Sequence, residues 1–89
     1  MADIKKYRRE LGQHLQKIRK EHHVSQEDLA ELIGKSRVQV GYVEQGARTP
    51  SLDMLLDVSE ALEVPMHSLF DFTWSGERAV VDYDSEDEE

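Results

Sequence analysis

The chain has 89 residues and not one is cysteine. That excludes disulfides and thiolate metal sites, and it suits a reducing cytoplasm, the expected location. No apolar run approaches the roughly 18–20 residues that a membrane span needs. The N-terminus, MADIKKYRRELG, is charged rather than apolar, so it does not read as a secretory leader. No nucleophile–base constellation or glycine-rich phosphate loop is present, which argues against an enzyme. Four histidines occur, His14, His22, His23 and His67, but no carboxylate or cysteine spacing joins them into a metal site, and no cofactor is expected. The length allows about one small domain.

Positive charge is also scarce. The chain carries 19 acidic residues against 11 lysines and arginines, a net charge of −8. Its distribution matters more than its sum. Residues 71–89 hold eight acids and a single arginine, whereas residues 1–70 hold eleven acids and ten bases. The globular part is nearly neutral, and Lys5, Lys6, Arg8, Arg9, Lys17, Arg19 and Lys20 gather in its N-terminal third.

What is present is helical periodicity. Ile4, Tyr7, Leu11, Leu15 and Ile18 recur at spacings of three and four, which predicts one long helix over 3–22 with Asp3 as N-cap. His22, His23 and Val24 form the first connection. Ser25 caps a second helix, with acids in its first turn. Leu29, Ala30, Leu32 and Ile33 are its expected buried side, and Gly34 stops it in a left-handed conformation. Ser36 and Gln39 form a capping-box pair for a third helix. Val40 and Val43 face inward, and Gly46 ends the helix. Pro50 suits the first turn of a fourth helix, with Thr49 or Ser51 as cap. Leu52, Leu55, Leu56 and Leu62 are expected on its core face. A short last helix from Pro65 to Phe70 returns Val64, Leu69 and Phe70 to the core. No strand or repeat is evident within 1–70.

Two short, capped helices joined by a glycine turn make a helix-turn-helix over Gln26–Val43. The string SQEDLAELIGKSRVQVGYVEQGARTPSLDMLLDVSEAL resembles the XRE family, the lambdoid phage repressor and Cro type. Its most specific stretches are SQEDLA, the E-x-G at Glu44–Gly46, and PSLDMLL. The resemblance runs from about Leu11 to Phe70. It implies an all-α, five-helix lambda-repressor-like domain over 1–70, with an extended first helix.

It also implies roles. The helix from Ser36 to Glu44 would lie in the major groove of double-stranded DNA. Arg37 would donate a bidentate pair to guanine, and Val38 would pack on a thymine methyl. Gln39 would bond adenine or a phosphate, unless the capping box consumes it. Tyr42 would reach a base edge or the backbone. Gln26 and Arg48 match phosphate contacts, and Arg19–Glu44 matches a structural ion pair. Three departures stand out: Gly41 where a serine is common, a first helix that extends about two turns upstream of the usual start, and the acidic tail.

Residues 71–89 form that tail. Phe72, Trp74, Val80, Val81 and Tyr83 are a surplus of apolar residues for pairing two copies, with 79–83 a candidate strand. Asp84–Glu89 reads as disordered. It is also a candidate competitor with phosphates for the basic surface, a contact for a protein partner, or a solubilising end. The function expected is a dimeric, sequence-specific repressor or autoregulator. Its rival is an antitoxin or interaction module that kept the fold with weak or no DNA binding.

Overall fold

The computed structural model describes residues 2–72. Four α-helices, α1 (Ile4–Glu21), α2 (Gln26–Ile33), α3 (Arg37–Glu44) and α4 (Leu52–Leu62), are followed by a closing 3-10 helix, Met66–Phe70. No strand occurs among the described residues. The last element is therefore a single tight 3-10 segment rather than a fifth α-helix. The expected strand at 79–83 and the acidic run lie outside the described residues.

Each α-helix starts on the side chain that its sequence offers. The Asp3 carboxylate accepts from the Lys6 backbone N–H, Ser25 from Asp28, and Ser36 from Gln39. Ser51, not Thr49, caps α4 and accepts from Met54. Pro50 lies just outside that helix, buried, instead of in its first turn. Gly34 and Gly46 take φ of +71° and +78°, the left-handed conformation that a Cβ disfavours. These two turns set the angles at which α3 enters and leaves.

The core is one cluster that draws on every helix: Leu15, Ile18, Leu29, Ala30, Ile33, Val40, Val43, Met54, Leu55, Val58, Leu62 and Leu69. Leu69 and Val40 are fully enclosed. The expected core face of α4 needs correction. Leu55 and Leu62 are buried, but Leu52 and Leu56 are exposed, at 64% and 48%. Met54 and Val58 hold the inward positions instead. Leu32 of α2 and Phe70 are likewise exposed. In α1 the apolar stripe runs past the end of the domain, so that Ile4 and Tyr7 are exposed while Leu15 and Ile18 are buried. A helix two turns longer than its neighbours can cover has apolar residues left over at one end.

Gly12 explains how α1 meets α3. A Cβ at Gly12 would lie 2.6 Å from the Glu44 carbonyl oxygen and closer still to that of Val43. Only glycine permits the two backbones this approach. Gly46 meets the Arg9 backbone in the same way, and the Arg8 Nε donates to the Gly46 carbonyl at 3.1 Å.

Candidate nucleic-acid interface

The helix-turn-helix is α2, the Gly34 turn and α3. Its internal bracing starts from a buried ion pair. Arg19 of α1 and Glu44 at the end of α3 are each only 6% exposed. The Arg19 guanidinium grips the carboxylate in bidentate fashion, Nε to Oε2 at 2.7 Å and Nη2 to Oε1 at 2.9 Å. Nη1 donates to the Val24 carbonyl at 2.8 Å. Planar fork geometry and full hydrogen bonding are what allow such a pair to be buried at all.

The pair reaches further than its two members. The Gln26 amide nitrogen donates to Glu44 Oε1 at 2.9 Å, and the Gln26 amide oxygen accepts from Arg37 Nη1 at 2.9 Å. A continuous chain of hydrogen bonds thus runs from the core outward: Arg19, Glu44, Gln26, Arg37. The ion pair was legible as a structural match. Its extension through Gln26 was not, because nothing in the sequence places the two ends of an amide.

Arg37 and Val38 stand exposed on the first turn of α3. Ser36 caps that turn, and the capping box is complete, since Gln39 Oε1 accepts from the Ser36 backbone N–H at 2.9 Å. The Gln39 carbonyl oxygen is therefore already engaged through one of its two lone pairs. A bidentate bond to adenine needs both ends of the amide, so the capping box fixes the direction of the Gln39 oxygen and leaves its NH2 group as a donor to a phosphate or to a base acceptor.

Tyr42 is 43% exposed, one turn after Val38. The Arg48 guanidinium carbon lies 5.6 Å from its ring centroid, within cation–π range. Tyr42 thus braces Arg48. The two line a cleft of about 170 Å³ between α3 and the start of α4, together with Lys35, Gln39 and Thr49. Lys35 and Thr49 are additions that the sequence did not single out. Arg8 is another, because its Nη1 donates to Thr49 Oγ1 at 3.3 Å and so buttresses the loop that carries Arg48.

One exposed edge therefore collects Arg37, Val38, Gln39, Tyr42, Arg48 and Lys35, with Gln26 behind it. The helix-turn-helix family model matches residues 15–69, well over half of the chain. The chain belongs to the XRE-type helix-turn-helix family. Among solved structures, this XRE-type chain is similar to the restriction–modification controller protein C.AhdI from Aeromonas hydrophila. Identity is 38% and the TM-score 0.75, over 78% of this chain and 100% of the controller. It is also similar to Bacillus thuringiensis PlcR, solved in complex with the peptide PapR7 and DNA. There identity is 30% and the TM-score 0.64, over 71% of this chain and 22% of PlcR. A search of curated proteins gave no match.

The family assignment covers the helix-turn-helix and its core. The 22% of this chain outside the controller match has no counterpart in that protein. Among the described residues no helix is long and apolar enough to cross a membrane, and no group of three or more His, Cys, Asp or Glu side chains converges as for a metal ion.

Proposed function

We propose that this protein is a sequence-specific DNA-binding transcription regulator that reads the major groove with α3. One observation carries the reading: Arg37 is exposed at the start of α3 and held by Gln26, which is itself anchored on buried Glu44. An arginine pre-positioned at that point of a helix-turn-helix suits bidentate recognition of guanine. Val38 beside it suits a thymine methyl. Arg48, braced on Tyr42, and Lys35 suit phosphates of the flanking backbone, and the Gln39 amide nitrogen serves there as a donor. The near-neutral balance of residues 1–70 is compatible with this role because three of its cations, Lys35, Arg37 and Arg48, lie on the reading edge.

The protein acts as a homodimer on two half-sites about one helical turn, roughly 34 Å, apart. A single helix-turn-helix reads too few base pairs for useful specificity, and Leu52 and Leu56, one turn apart on α4, leave apolar surface for a second copy. The likeness to a restriction–modification controller protein over that protein's whole length supports a regulatory role for this chain, as repressor or autoregulator.

The test is fluorescence anisotropy with the chain's own upstream DNA against random duplex, over a salt series. Expected is salt-dependent, sequence-selective binding. Arg37→Ala should cost about 1–3 kcal/mol, roughly a 5- to 150-fold loss, on the specific duplex only. Equal affinity for both duplexes, unchanged by the substitution, would overturn the reading in favour of an interaction module.

A further inference from the structure

The N-terminal two turns of α1 are more than surplus length. Ile4, Tyr7 and Leu11 continue the core stripe upstream and, with Arg8 and Thr49, line an almost wholly apolar groove of about 160 Å³. The same turns carry Lys5, Lys6, Arg8 and Arg9 against one acid, Glu10, and the first turn has none. Cations there oppose the helix dipole, whose N-terminal end favours anions. Such a surface suits a ligand that is apolar at one point and strongly acidic next to it.

The chain contains one segment of that description. Val80, Val81 and Tyr83 are followed by DSEDEE, five acids in six residues. The fold delivers the chain to the correct helix. Phe72 lies with its ring centroid 5.5 Å from that of His14 on α1, and Asp71 and Phe72 line a shallow cleft with Glu10, Gln13 and Lys17 of the same helix. From His14 back to Ile4, α1 rises about 15 Å. The eight residues from Phe72 to Val80 span up to about 26 Å when extended. The reach is sufficient, and so short a connection gives an effective concentration in the millimolar range.

We propose that residues 79–89 dock on the N-terminal turns of α1 of their own chain. Val80, Val81 and Tyr83 occupy the Ile4–Tyr7–Leu11 groove, and the acidic run lies along Lys5, Lys6, Arg8 and Arg9. Thr49 makes this consequential. It lines the α1 groove and also the cleft that holds Arg48 and Tyr42, so the docked acids sit beside the phosphate-facing loop. Docking there disfavours duplexes held by backbone contacts alone, which are the ones most dependent on the local potential. This last consequence rests on the DNA-binding reading, whereas the docking does not.

The absence of cysteine allows a clean test. Ser85→Cys in the full chain carries a single nitroxide label, and amide broadening is read by NMR without DNA. Expected is strong broadening over Ile4–Leu11 and at Thr49. In the Ile4→Asp background that broadening should disappear, and affinity for random duplex at low salt should rise about fivefold. Ile4 is 58% exposed, so the domain itself tolerates the change. Broadening that is absent, centred on another face, or unaltered by Ile4→Asp overturns the proposal. So does broadening that appears only when labelled chains are mixed with isotope-labelled, spin-free ones, because the segment would then be docking on a second copy. Should the broadening behave as expected while neither duplex binds, the docking stands and the DNA-binding reading fails.

Discussion

Replacing Glu44 by glutamine keeps the shape of the side chain and removes its charge. Arg19 would then be a guanidinium only 6% exposed, left with the Val24 carbonyl as its firm acceptor. Breaking one side of a buried pair typically costs about 3–5 kcal/mol, because the remaining charge is desolvated without compensation. A domain with 71 described residues has a total stability of about 4–10 kcal/mol, so the variant should lose a third or more of it. At roughly 4–8 °C per kcal/mol for a domain of this size, Tm should fall by at least about 12 °C, read by circular dichroism at 222 nm. The apolar double variant Arg19→Met/Glu44→Leu should recover most of that loss, since burying two charges is itself expensive. It should not recover specific DNA binding, because Gln26 would have no Glu44 to anchor it. A Glu44→Gln variant within about 1 kcal/mol of the parent, the size of an exposed pair, would refute the argument. A double variant as unstable as the single one would show that the pair is a net source of stability.

Gly12→Ala should lower Tm sharply, because its Cβ would meet the backbone carbonyls of Val43 and Glu44, which cannot rotate aside; thermal melting within about 2 °C of the parent, half the shift of a single kcal/mol, would contradict the close approach of α1 and α3. Gly41→Ala should do the opposite. The nearest atom to its Cβ is Gln26 Oε1 at 4.0 Å, so the gain in helix propensity of about 1 kcal/mol should appear as a higher Tm, and a lower one would refute this. If DNA binding weakens in the same variant, Gly41 is where the duplex comes closest. Arg48→Ala should weaken binding evenly across sequences and reduce the salt slope by about one phosphate; a selective loss on one sequence would move Arg48 from backbone to base contact.

Much of this architecture was legible because it depends on local chemistry. Asp3, Ser25 and Ser36 announce helix starts, Gly34 and Gly46 announce turns, and the E-x-G at Glu44–Gly46 places the end of α3. The failures share a cause. Hydrophobicity alone places Leu32, Leu52, Leu56 and Phe70 in the core, yet a helix of five to eleven residues buries one stripe only, and the partner that selects the stripe is distant in sequence. On α4 the selection fell on Met54, Leu55, Val58 and Leu62. At the site, exposure of Arg37 and Val38 followed from the position of their helix. The Glu44–Gln26–Arg37 chain, the side-chain direction of Gln39 and the bracing of Arg48 on Tyr42 depend on rotamers, which spacing does not encode.

The close approach at Gly12 has a kinetic meaning. Where two backbones meet with no side chain between them, neither helix can slide or tilt without breaking contact, and the Arg19–Glu44 clasp closes the same joint. The reading edge is therefore assembled before any duplex arrives. Little conformational entropy remains to be lost on contact, so encounter should be limited by diffusion and orientation rather than by rearrangement. On the proposed function, a visit to a wrong site would ask no change of shape from this domain.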